Sequence, residues 1–139
     1  MTSDRRATGS PLGDAELTHI LVVADLAVAV TFYRDVLGAV VEREYGGTSA
    51  VLCLGGSWLL LVTGGGPSPD KPTVTFAPPA DPDRVSHAMT FRVADCAATS
   101  DVLRQRGARF LTDPVDNGPE IRCFLRDPDG HLLELSQLT

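Results

Sequence analysis

One order of elements occurs twice along this chain, and that repetition limits the possible folds more than any other feature. The segment "LTHILVVAD", Leu17 to Asp25, is rich in β-branched residues and reads as a strand. Asp25 is placed to cap a helix on which Leu26, Val30, Tyr33 and Leu37 share one face, and Gly38 ends it. In the second half "SHAMTFRVAD" is again a strand, Asp95 is placed to cap "CAATSDVLRQR", and Gly107 stops that helix as Gly38 stops the first. Further strands follow each helix: "AVVEREY", "TSAVLCL" and "SWLLLVT", then "ARFLTD", "EIRCFLR" and "HLLELSQ". Each half therefore reads strand, helix, three strands. Between the halves, "GGGPSPDKPTVTFAPPADPDR" carries too many prolines and glycines for a continuous helix, and its "TVTF" suits a short edge strand.

These signals divide the chain into a loose leader over 1–16, a first βαβββ unit over 17–63, a linker over 64–84 and a second βαβββ unit over 85–139. Neither unit can bury an apolar sheet face alone. The expectation is an α+β fold in which two tandem units form a curved mixed sheet around a trough, the default place for a ligand.

Charge and cysteine usage restrict the function classes. A formal net charge of -6, with no run of Lys or Arg, gives phosphate backbones and anionic lipids nothing to hold. Nucleic acid and membrane are therefore not expected as partners. The longest apolar run, "ILVVADLAVAV", is interrupted by Asp25 and too short to span a bilayer. The start, "MTSDRRATGSPLGDAE", has arginines with no apolar segment behind them, unlike a secretory signal, so a cytoplasmic protein is expected. Cys53, Cys96 and Cys123 are far apart and form no C-x-x-C pair, which points to buried thiols rather than a disulfide framework or zinc knuckle.

The duplicated unit, "FYRDVLG" at Phe32 to Gly38 and "DPDGHLLEL" at Asp127 to Leu135 together resemble the vicinal oxygen chelate superfamily. That group holds glyoxalases, extradiol dioxygenases, and fosfomycin- and bleomycin-resistance proteins. The resemblance runs from about Leu17 to Gln137. Metal-dependent members place ligands near the start of the first strand and in the last strand of each unit. The resemblance thereby implies His19, His87 and Glu134 as a metal set, with Glu134 also catalytic. Such a set suits Fe, Mn, Zn, Ni or Co and leaves positions open for a substrate with two adjacent oxygens. The ion would act as a Lewis acid. Aligning "WLLLV" on "HLLEL" puts Leu61 where glyoxalase-like members carry a fourth ligand, which weakens a glyoxalase reading.

The alternation of side chains along a strand opposes the metal set. Met89, Phe91 and Val93 form an apolar row to which His87 belongs by parity, while Ala88, Thr90 and Arg92 form the other. Counting back from Asp25 likewise puts Thr18, not His19, at the ligand place, unless a bulge restores the phase. A buried Glu134 needs a metal, Arg92, Arg122 or water beside it. His131 is expected at an exposed turn, and Tyr45 with the following "GGTS" at a hairpin.

Two readings follow. One is a divalent-metal-dependent enzyme of dioxygenase, lyase, isomerase or transferase type, acting on a small molecule with vicinal oxygens. The alternative is a metal-free binding protein of the drug-sequestering kind, whose trough is lined by Leu61, Trp58, Arg92, Thr18 and Ala88. A homodimer is expected, because each unit's sheet edge needs cover.

Overall fold

The computed structural model describes residues 9–139; the first eight residues of the expected leader lie outside the described residues. The first unit comprises β1 (Thr18–Val23), α1 (Leu26–Thr31), a π-helical segment (Phe32–Val36), β2 (Val40–Tyr45), β3 (Ser49–Leu54) and β4 (Ser57–Thr63). The second comprises β5 (Met89–Arg92), α2 (Cys96–Gln105), β6 (Arg109–Phe110), β7 (Val115–Asp116), β8 (Glu120–Arg126) and β9 (Leu132–Leu138).

The repeat is visible in the pairing. One sheet has the order β1-β4-β3-β2 and the other β5-β9-β8-β6, with β7 also on β8. In each, the first strand runs parallel to the last and the remaining pairs are antiparallel. Both helices start as their sequences dictate: the carboxylates of Asp25 and Asp95 accept from the N–H groups of Val28 and Ala98. Gly38 and Gly107 adopt positive φ just beyond the helical segments, a conformation a side chain would oppose.

Three segments differ from the sequence expectation. The first helix widens into a π-helical turn over Phe32–Val36 instead of continuing as α-helix. "ARFLTD" is cut to β6, and pairing resumes only at β7, because Pro114 between them has no N–H to give to a ladder. "TVTF" contributes a single bridge, Phe76 with Gly65, and Lys71 ties the linker loop by donating to the carbonyls of Gly66 and Val74.

Both sheets turn one apolar row onto a common core. Leu21, Leu52, Leu59 and Leu61 from the first unit and Leu125, Leu133 and Leu135 from the second belong to one buried cluster, together with Ala29 and Val30 of α1 and Leu103 of α2. Polar ties cross between the units at its edge. The Tyr33 hydroxyl donates to Asp127 at 2.7 Å, and the Ala24 N–H donates to Asp129 at 2.8 Å. Burial pushes both the Tyr33 hydroxyl and the Asp127 carboxyl above their ordinary values.

Candidate functional site

Residues opposite each other on paired strands project from the same face. In the first sheet Thr18 faces Trp58, Ile20 faces Leu60 and Val22 faces Val62. Cys53 and Val51 extend this row, opposite Trp58 and Leu60. This is the face turned away from the core, since the alternate row of Leu21, Leu59, Leu61 and Ala50 is buried. Thr18 and Trp58 therefore stand on the outer face. Leu61 does not: it is fully buried, opposite Leu21 and Ala50. The expectation that it lines the trough rests on an alignment one residue out. Matching Gly56 to Gly130 puts Leu60 in the place of Glu134, and the register agrees, because Ile20 faces Leu60 as Thr90 faces Glu134.

The outer face of the second sheet is polar. Glu134 is only 8% exposed, and its carboxylate accepts from the Thr90 hydroxyl at 2.6 Å with Arg122 standing 3.9 Å away. Arg92 donates to Ser136 at 2.5 Å and reaches Glu120 at 3.3 Å. Arg122 meets the other oxygen of Glu120 at 3.3 Å and lies over the ring of Phe124. The Ser136 hydroxyl, followed by Arg122 and Arg92, holds the Glu120 carboxyl below its usual range. This network runs along "EIRCFLR", where every second residue from Glu120 faces outward. Of this network the sequence singles out Glu134, Arg92 and Arg122 but not Glu120 or Ser136, although the alternation in "EIRCFLR" is sufficient to find Glu120.

The histidines stand elsewhere. His19 shares the row of Leu21 and Val23, on the core side of β1. His87 precedes β5, and its ring stacks on that of His19 with centroids 4.3 Å apart and planes within 11°. The two are also not counterparts in the repeat, because His19 faces Leu59 as Met89 faces Leu133. His131, expected at an exposed turn, is half-buried, and its Nε2 lies 2.7 Å from the carbonyl of Val22. Burial, and then the nearby His87 and His131, push the His19 imidazole below its ordinary value.

A two-histidine, one-glutamate centre needs its three donors to converge within about 2.2 Å of one point. Here the His19 imidazole belongs to the core-side row of β1 with the exposed His87 ring stacked on it, and the carboxylate projects from the outer face of the second sheet. No bulge interrupts the register of β1 or β5. Among the described residues no group of three or more His, Cys, Asp or Glu side chains is placed to hold a metal ion. This arrangement does not fit a divalent ion at His19, His87 and Glu134.

Two α+β units with matching strand order, the second with β7 added, each with an outward sheet face, define a duplicated βαβββ protein. The model of the Glyoxalase/Bleomycin resistance protein/Dioxygenase superfamily matches residues 16–135, and the chain belongs to that family. It is similar to the glutathione transferase FosA of Serratia marcescens, 32% identical over 86% of this chain and 78% of that protein. It is also similar to a probable lactoylglutathione lyase of Synechocystis, 26% identical over 87% of this chain and 94% of the other. Among solved structures, a glyoxalase/bleomycin resistance protein/dioxygenase from Nocardioides superposes with a TM-score of 0.69 at 21% identity, covering 87% of this chain and 81% of that one. No helix among the described residues is long and apolar enough to cross a membrane.

Proposed function

We propose that the protein binds a small, flat, largely apolar molecule carrying an anionic or acceptor group, and does so without a divalent ion at His19, His87 and Glu134. The observation that carries this reading is the separation of the imidazole stack from Glu134. The two outer faces supply complementary chemistry. Ile20, Leu60 and Val62, with Trp58 beside them, form an apolar wall, whereas Arg92 and Arg122 offer donors. An apolar wall contributes affinity through burial and a few fixed donors set orientation. Glu134 acts here as a positioning residue, holding Thr90 and drawing Arg122 toward the ligand.

Because both sheets spend their other face on the shared core, one chain does not close a trough by itself. A homodimer in which the first unit of one chain faces the second unit of its partner completes it. Exposed Ile20 and Val40 on the outer face of the first sheet support this assembly.

Trp58 is the single tryptophan and stands on the apolar wall, so its fluorescence reports the site directly. Titration with a panel of planar aromatic acids should quench or shift that emission with saturation, equally in chelator and in added Fe(II), Mn(II) or Zn(II). A His19→Ala, His87→Ala double variant should bind as the wild type does. Binding that appears only with added metal and disappears in the double variant would refute the proposal.

A second reading, a metal-dependent lyase, isomerase, transferase or dioxygenase using His19, His87 and Glu134, draws support from the likeness to a glutathione transferase. It requires both imidazoles to cross to the face that carries Glu134. Near-stoichiometric metal retained through dialysis, and lost in the double variant, would establish it over the first.

A further inference from the structure

We infer a second ligand site, at the β6 edge of the second sheet and apart from Glu134 and its partners: a cavity of about 660 Å³ at the junction of the two units, suited to an aromatic monocarboxylate. Its size falls within the usual range for small-molecule pockets. Phe32 enters it from the π-helical segment of the first unit, and Arg109, Phe110 and Leu111 from the start and end of β6. Arg126 and Asp127, at the end of β8, form the remaining wall.

The electrostatics select the ligand's charge. Arg109 and Arg126 are direct partners in the β6–β8 ladder, and like charges directly opposite each other destabilise a sheet. Arg126 is compensated: it meets Asp83 at 2.8 Å and donates to the carbonyl of Pro82. The Arg109 guanidinium makes no hydrogen bond or ion pair among the described residues, and only its backbone is tied, in the ladder with β8. Asp127 cannot serve it, because its oxygens already accept from the Tyr33 hydroxyl and from the N–H groups of Asp129 and His131. One solvent-exposed guanidinium without a protein partner therefore lines the cavity beside a buried carboxylate. That balance favours a single negative charge and disfavours a dianion.

The shape and lining select the rest of the molecule. Phe32 and Leu111 offer apolar surface in the same cavity as the arginine, and Leu111 is half exposed. The edge of Phe110 is steadied from behind by Arg104, whose guanidinium lies 4.7 Å from the ring centroid. A ring placed against these side chains leaves its carboxylate at the fork of Arg109, where a bidentate pair can form. Because the cavity draws on both units, a ligand there bridges them. Binding should therefore raise the melting temperature as well as produce heat.

Isothermal titration with 1-naphthoate tests the site. In Leu60→Arg, whose outer wall is disrupted, saturable binding of one molecule per chain is expected, with a rise in melting temperature that grows with ligand concentration, whereas the wild type, whose outer face also takes planar aromatic acids, should bind a second molecule. Arg109→Gln should weaken binding about tenfold or more, and the neutral 1-naphthalenemethanol should bind the wild type correspondingly weakly. Leu111→Glu, which places a like charge at the mouth, should do the same. Leu60→Arg, on the outer face of the first sheet, should leave the groove affinity unaltered. No saturable heat at millimolar naphthoate would overturn the inference. So would equal affinity in Arg109→Gln, or loss in Leu60→Arg with retention in Arg109→Gln, which would assign the binding to the outer face.

Discussion

At the scale of single residues, parity along a strand decides the chemistry. His19 and Thr18 are neighbours, yet one faces the core with Leu21 and the other faces outward with Trp58. The same alternation is legible in the sequence, where it separates His87 from Thr90. His19 also makes stability depend on pH. Its folded imidazole titrates below the ordinary 6.5, so below that pH the unfolded chain holds more protons than the folded one. The contribution is complete above pH 6.5 and declines as pH falls through the folded value. Asp127 acts in the opposite sense, since its raised carboxyl favours the folded state on acidification toward 3.8. That effect is common to both proteins in the comparison. Thermal melts between pH 7.5 and 5.5 should show a larger fall for the wild type than for His19→Gln, and parallel curves would remove this role for the stack. The cysteines behave as the sequence suggests in part. Cys96 and Cys123 are buried with sulfurs 3.6 Å apart, and burial pushes the Cys123 thiol up to about 12, whereas Cys53 is only half-buried.

At the scale of elements, caps and turns are written locally and long-range ties are not. Asp95 caps a ten-residue helix through the Ala98 N–H, so Asp95→Ala should lower stability by about 1 kcal/mol in urea titration. The Tyr33–Asp127 bond joins positions 94 residues apart, and nothing in "FYRDVLG" alone names its acceptor. Tyr33→Phe keeps the ring and leaves a buried carboxylate one donor short. The expected loss is about 1–3 kcal/mol, again by urea titration, and an unchanged midpoint would show that the buried bond contributes nothing net. The same distinction explains the misplacement of Leu61. "WLLLV" and "HLLEL" look alike in two alignments, and a shift of one residue exchanges the buried row for the outward one. Only the pairing of Ile20 with Leu60 and of Thr90 with Glu134 fixes the correct match.

At the scale of the whole molecule, the shared core leaves an apolar sheet face outward. Ile20 is 45% exposed and Val40 59%, beside half-buried Leu60 and Val62. Light scattering should therefore give about twice the chain mass of 14.8 kDa, and Ile20→Arg should shift the protein toward monomer while weakening the Trp58 response. A wild-type monomer with full ligand response would mean that one outer face suffices. What the sequence determined alone is the duplicated strand–helix–strand order, the two capped helices and the alternate apolar rows, because each depends on residues within a few positions of one another. What only the tertiary structure decided is which rows meet. Two histidines that look like counterparts in the chain stack on each other at the core-side row of β1, while Glu134 stands on the outer face of the second sheet. The physical reason is that a strand's periodicity gives two faces without naming the inner one. That choice is made when both units commit their apolar rows to a single core, and the donors left outside then define what can bind.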